Sequence, residues 1–159
     1  MRRLLLVHGP NLNRLGSRDR SVYGDVTLAG IVEALTVRGR ETGWEVLAFQ
    51  SNHEGELIDW LQAQAAGADA IIINPGGLSH YSVSLRDALE DTRRPVVEVH
   101  ISNPSLRESF RHALVTATAA ARVIAGKGLD GYLEALEYVA GLSPDGRAAQ
   151  RADASDPRC

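Results

Sequence analysis

Hydrophobic positions along the chain alternate between two kinds of pattern. Short runs rich in branched aliphatic residues, Arg3–His8, Trp44–Gln50, Asp69–Asn74, Val96–Ile101 and Arg122–Ala125, read as strands. The third, Asp69-Ala-Ile-Ile-Ile-Asn74, is a continuous apolar run of the kind buried on both faces of a sheet. Between the runs, apolar residues recur at helical spacing. Thr27 can cap a helix to about Glu41 with Ile31, Val32 and Leu35 inward, ended by Gly43. Glu54 to Ala66 places Leu57, Ile58, Leu61 and Ala65 on one face, with Gly67 as the stop. Ser82 can cap a helix containing Val83, Leu85, Arg86, Asp87 and Leu89, and Asp130 opens a last one with Leu133, Leu136 and Val139 inward.

Strands alternating with helices predict an α/β domain with a parallel sheet of about five strands. For that many βα units the default is a flavodoxin-like three-layer sandwich with strand order 2-1-3-4-5. One domain is expected over residues 1–142. The polar stretch 143–159, rich in Pro, Gly, Asp and Arg, reads as a disordered tail.

Composition narrows the partners. The net charge of −3 and the absence of a lysine-rich tract argue against nucleic acid. No apolar run approaches the roughly 20 residues of a membrane span, and Met1-Arg-Arg leads into a strand rather than a signal peptide. The one cysteine, Cys159, allows no intrachain disulfide, so a cytoplasmic setting is expected. Histidines 8, 53, 80, 100 and 112 lack the spacing of a zinc site, and no metal is expected. The one lysine, Lys127, would have to carry any Schiff-base chemistry.

Candidate chemistry begins in the fourth strand. Glu98 and His100 stand two residues apart in an apolar run, so a strand points both to one face, where each is costly unless paired. A carboxylate accepting from one imidazole nitrogen would orient the ring and favour its protonated form; a satisfied core histidine is the plainer alternative. The strand runs into Ser102-Asn103-Pro104, and in open parallel sheets ligands bind outside the strands' C-terminal ends. Ser105-x-x-Glu108 reads as a capping box opening a short helix with Arg107 and Arg111 on one face. Histidine, backbone N–H groups and arginines together suggest a small anionic substrate handled by acid–base chemistry.

A parallel sheet would bring the loops Gly9–Gly24, Asn74–Tyr81 and Ile101–Asn103 to one crevice. The first holds Asn11, Asn13, Arg14, Arg18, Arg20 and Tyr23. A phenol beside an arginine can ionise well below its usual value near 10 and act as a base; a solvated basic loop with a packed tyrosine is the alternative. Asn74 and His80 suit hydroxyl groups, whereas Asp87 reads as a surface charge. Gly126-Lys-Gly-Leu-Asp-Gly131 matches G-x-G-x-x-G, but in the last βα unit with no strand after it, which favours a tight turn over a dinucleotide site. A phospho-acceptor domain would want an aspartate where Asn74 stands.

Several separated blocks together resemble the type II 3-dehydroquinate dehydratases. They are His8-Gly-Pro-Asn-Leu-Asn-Arg-Leu-Gly16 with Arg18 and Tyr23-Gly24; Phe49 through Trp60; Ile73 through Ser82 with Arg86-Asp-Ala-Leu89; and Glu98-Val-His-Ile-Ser-Asn103 with Arg107-Glu and Phe110-Arg111. The resemblance implies a cofactor-free dehydration of 3-dehydroquinate to 3-dehydroshikimate and a homo-dodecamer built as a tetramer of trimers. It also implies roles. Tyr23 would be the base, with Arg18 keeping it charged, and Asn11 would hold a water on the enolate. His100, oriented by Glu98, would protonate the departing hydroxyl. The N–H groups of Ile101 and Ser102 would take the substrate carboxylate, with Asn74, His80, Arg107 and Arg111 around the rest of the ring. Asp87 would reach a neighbouring subunit's site.

The chain departs from the family pattern at several places. His8 stands for the usual Asn, Asp19-Arg20 for Glu-Pro, Ala113-Leu114 and Ala117 for His-Ser and Ser, and Arg122 for Gly. None removes a residue given a chemical step. They motivate a second reading, the same reaction on an aminated analogue of dehydroquinate. A flavin- or nucleotide-binding module using Gly126, Gly128 and Gly131 is a third.

Overall fold

The computed structural model describes residues 1–142; the expected tail, 143–159, lies outside the described residues. Strands β1 (Arg2–His8), β2 (Trp44–Gln50), β3 (Ala70–Asn74), β4 (Val96–His100) and β5 (Arg122–Ala125) form one parallel sheet ordered β2-β1-β3-β4-β5. Helices α1 (Arg20–Tyr23), α2 (Leu28–Glu41), α3 (Glu54–Gln64), α4 (Val83–Asp91) and α5 (Gly128–Gly141) connect them. This is the flavodoxin-like arrangement the sequence predicts.

The two-residue period of the strands sorts the core into two layers. Leu4 and Leu6 of β1, Ile72 of β3 and Val97 and Val99 of β4 pack with Ile31 and Leu35 of α2 and Tyr132, Leu136 and Val139 of α5. Leu5 and Val7, Ile71 and Ile73, and Val96 pack instead with Leu57 and Leu61 of α3 and Leu85 and Leu89 of α4. Each of these side chains, fully buried, contributes about 1.5–3 kcal/mol relative to exposure. Both layers end at the same C-terminal edge of the sheet.

Local signals set most helix starts. Thr27 accepts from Gly30 N–H at 3.0 Å and Ser82 from Leu85 N–H at 2.9 Å, as N-caps do. Three expectations differ. The last helix begins at Gly128, two residues before Asp130, and Leu133 is only partly buried while Tyr132 takes the inner position. The loop after β1 is not featureless: it holds a 3₁₀ turn, Leu12–Arg14, and α1. The proposed Ser105–Glu108 capping box is absent. Asn103 instead accepts from Ser105 N–H at 3.0 Å ahead of Pro104, giving a 3₁₀ turn, Pro104–Leu106, and a second turn follows at Ser109–Arg111. An Asn two residues ahead of the first donor satisfies it locally and leaves Ser105 no capping role.

One close approach knits the edge. A Cβ added to Gly9 would sit 2.2 Å from the carbonyl oxygen of Pro75, so only glycine lets the loops after β1 and β3 touch. Among the described residues no helix is long and apolar enough to cross a membrane.

Candidate active site

The three loops expected to share a crevice do so. Asn11, Arg18, Tyr23, Asn74, His80, His100, Ile101, Ser102, Arg107 and Arg111 line one cavity of about 230 Å³ at the C-terminal edge of the sheet. That is below the roughly 300–1,000 Å³ of drug-sized ligand sites and suits one small polar molecule.

Of the pair from β4, His100 lines the cavity and Glu98 does not. His100 Nε2 is 2.7 Å from Glu98 Oε1, and Glu98 is fully buried. With that nitrogen donating to the carboxylate, Nδ1 is left for the cavity. Thr116, also fully buried, donates its hydroxyl to the other oxygen, Glu98 Oε2, at 2.7 Å. Thr116 was not singled out from the sequence; a contact between residues 18 positions apart leaves no local periodic trace.

Tyr23, at the end of α1, lines the same cavity. Its hydroxyl accepts from Arg107 Nη1 at 3.0 Å, while the Arg18 guanidinium lies over the ring, 4.0 Å from its centre. Asp19, one of the departures from the family pattern, is the N-cap of α1. It accepts from Ser21 N–H and from the Ser21 hydroxyl, which hold its carboxyl below the usual range. Arg20 pairs with Asp25 at 3.1 Å. Arg111 Nε donates to Glu108 Oε2 at 2.9 Å, and a backbone N–H together with Arg111 and Arg107 holds the Glu108 carboxyl low.

The neutral polar groups are fixed from behind. Asn74 Oδ1 accepts from Gly76 N–H at 3.1 Å and Nδ2 donates to the Tyr132 hydroxyl at 3.1 Å. Tyr132 is fully buried, and burial pushes its phenol above the ordinary value. An aromatic hydroxyl on an apolar helix face needs a partner, which is the signal that could have found it. His80 Nδ1 donates to Ala113 O at 2.9 Å, so Nε2 is the acceptor of the neutral ring. His8 sits beside Tyr132, ring centres 5.6 Å apart, and its two ring nitrogens have no hydrogen-bond partner among the described residues. Burial lowers its pKa to about 4.

Two expected features lie elsewhere. Asp87 does not line the cavity; it is exposed on α4 and pairs with Arg86 at 2.9 Å. The G-x-G-x-x-G stretch is a tight turn: Gly126 has φ +79°, its N–H donates to His100 O, and Gly128 N–H donates to Ile101 O. Amides so committed cannot cradle a phosphate, which disposes of the nucleotide-binding reading at these glycines. Lys127 and Arg122 both pair with Glu134, outside the cavity. Among the described residues no group of three His, Cys, Asp or Glu is placed to hold a metal ion.

Such a site brings a phenol bonded to arginine and a carboxylate-paired imidazole to one cavity, beside the arginines that an anionic molecule would need. Residues 2–140 match the family described as Dehydroquinase class II. The 3-dehydroquinate dehydratase of Herminiimonas arsenicoxydans is 54% identical over 136 residues, covering 85% of this chain and 94% of that protein. The 3-dehydroquinate dehydratase of Roseiflexus castenholzii is 51% identical over 144 residues, covering 91% and 92%. The crystal structure of type II dehydroquinase from Propionibacterium acnes superposes with a TM-score of 0.84 at 38% identity, covering 88% of this chain and 97% of that one.

Proposed function

Because the chain belongs to the class II dehydroquinase family, we propose that it dehydrates 3-dehydroquinate to 3-dehydroshikimate, a step of the shikimate pathway, and that it does so with its own side chains. The observation that carries this reading is one cavity lined by both the Arg107-bonded Tyr23 and the Glu98-paired His100.

Dehydration next to a ketone needs a base for the carbon-bound proton, stabilisation of the enolate and an acid for the departing hydroxyl. In our reading Tyr23, as phenolate, takes the proton. The electron pair of the broken C–H bond moves into the enolate, and Asn11 holds a water against its oxygen. Arg107 on the phenol oxygen and Arg18 over the ring place positive charge beside the base. The enolate then reforms the ketone, a carbon–carbon double bond forms, and the carbon–oxygen bond of the hydroxyl breaks. His100 Nδ1 gives its proton to the leaving oxygen, and one water departs with no change in redox state. Glu98 compensates the imidazolium before that transfer.

Binding follows from the remaining groups. The N–H groups of Ile101 and Ser102 take the substrate carboxylate, and Asn74, His80 and Arg111 engage the ring hydroxyls. The aminated analogue is not favoured, since the curated relatives carry the 3-dehydroquinate name. We also assign the chain to a homo-dodecamer, a tetramer of trimers, in which Asp87 completes a neighbour's site. Exposed Tyr81, Val83, Leu106 and Phe110, on the segments that carry His80, Arg107 and Arg111, support an apolar contact there. A single cysteine, with no internal disulfide possible, supports a cytoplasmic setting.

The direct test is to mix purified protein with 3-dehydroquinate and follow the ultraviolet absorbance of the conjugated enone product. An active-site reading of this kind requires absorbance to grow in proportion to enzyme; no growth at any enzyme concentration would sink it.

A further inference from the structure

We infer that Thr116 is a positioning residue for the acid of the reaction, holding Glu98 so that His100 presents its free nitrogen correctly; this rests on the dehydratase reading. Glu98 is fully buried, and a buried carboxylate is tolerated only where both oxygens are met by donors. His100 Nε2 meets one oxygen and the Thr116 hydroxyl the other, each at 2.7 Å. An ionised carboxylate only accepts, so the hydroxyl is the donor and neither oxygen of Glu98 is left without a partner.

Two donors from different directions also fix the plane of the carboxylate. With only His100 as partner, the group could turn about its Cγ–Cδ bond and share both oxygens with Nε2, swinging the ring and its Nδ1. Displacements of about 1 Å at a reacting group can lose on the order of 100-fold in rate. The β-branched threonine holds its hydroxyl direction through a stiff χ1.

The backbone around Thr116 is itself anchored to the cavity. Val115 N–H donates to Ser79 O at 2.7 Å, and Ala113 O accepts from His80 Nδ1 at 2.9 Å. The segment Ala113–Thr116 is therefore a strap with His80 on one end and Glu98 on the other. Its hydroxyl is set by the same loop that sets His80, rather than by chance contact.

The test uses the full chain and 3-dehydroquinate, with wild type measured first. Thr116→Val keeps shape and removes the donor; Thr116→Ser keeps the donor; Thr116→Ala serves as the donor-less variant should valine fail to fold. A hydrogen bond to a charged group is worth about 1.5–3 kcal/mol, so losing it should lower kcat by about 10- to 100-fold. KM should stay within about twofold. The pH limb of kcat set by the Glu98–His100 pair should move, and serine should restore most of both. Wild-type kcat and pH profile in the donor-less variant, or equal losses in valine and serine variants of unchanged fold, would overturn the positioning role alone. An inactive wild type would overturn the dehydratase reading and this role with it.

Discussion

Arg107 donates a hydrogen bond from Nη1 to the hydroxyl of Tyr23 at 3.0 Å, across 84 positions of sequence. Arg18, five residues from Tyr23 in the chain, lies over the ring face and not on the oxygen. The cation that touches the phenol therefore comes from the turn after β4, the strand that also carries His100. Base and acid are held by neighbouring stretches of one segment.

That arrangement predicts the behaviour of three variants. Tyr23→Phe keeps the ring and loses the ionisable oxygen, so turnover should fall by about 10²–10⁴-fold with the fold unchanged. Arg107→Gln and Arg18→Gln should also be severe, with Arg107→Gln the worse, because Arg107 donates to the oxygen whereas Arg18 lies over the ring. Losses in Tyr23 and Arg107 double variants should not add. Near-normal turnover of a folded Tyr23→Phe would place the base elsewhere.

His8 predicts an acid limb of stability. Its folded pKa is about 4 against 6.5 for the free side chain, so between those values the unfolded chain binds the extra proton. Stability from this site is present above about pH 6.5 and falls as pH drops toward 4, by up to about 3 kcal/mol. Replacing His8 with the family's Asn removes the titration. Urea midpoints measured at pH 7 and pH 4.5 should differ less in His8→Asn than in wild type; equal differences would refute the assignment.

Tyr132 holds Asn74 through the bond at 3.1 Å. Tyr132→Phe leaves the packing intact and frees the amide, at about 0.5–1.5 kcal/mol of stability for the lost hydrogen bond. If Asn74 engages a ring hydroxyl, KM should rise several-fold with kcat less affected. Steady-state kinetics of the variant give both numbers, and an unchanged KM would remove Asn74 from the binding set.

Lys127, paired with Glu134 outside the cavity, should be dispensable. Lys127→Met should retain turnover, and borohydride added with substrate should not inactivate the enzyme. Substrate-dependent inactivation with mass added at Lys127 would instead reveal an imine.

Parts of this site are written in the sequence because they obey local rules. Glu98 and His100 stand two apart in an apolar strand, so one face and one pairing follow; Thr27 and Ser82 announce their helices by N-capping. The misreadings arise where two local rules compete. Ser105 and Glu108 have the spacing of a capping box, but Asn103 before Pro104 captures the Ser105 amide first. Asp130 looks like a helix start, yet the turn at Gly126 and Gly128 has already begun one. Thr116, Tyr132 and the Arg107–Tyr23 contact depend on folding distant segments together, and no window of sequence contains both partners.

The alternation of side chains along the strands has a practical consequence for how activity would be lost. Glu98 and His100 share the parity of Val96 and face the layer built with α3 and α4; Asn74 shares the parity of Ile72 and faces the layer of α2 and α5. The cavity therefore reports on both sides of the sheet at once. Loosening of either layer at its C-terminal edge would disable half of the chemistry while the other layer, and most of the circular dichroism, persisted. On slow heating, inactivation should run ahead of the loss of secondary structure.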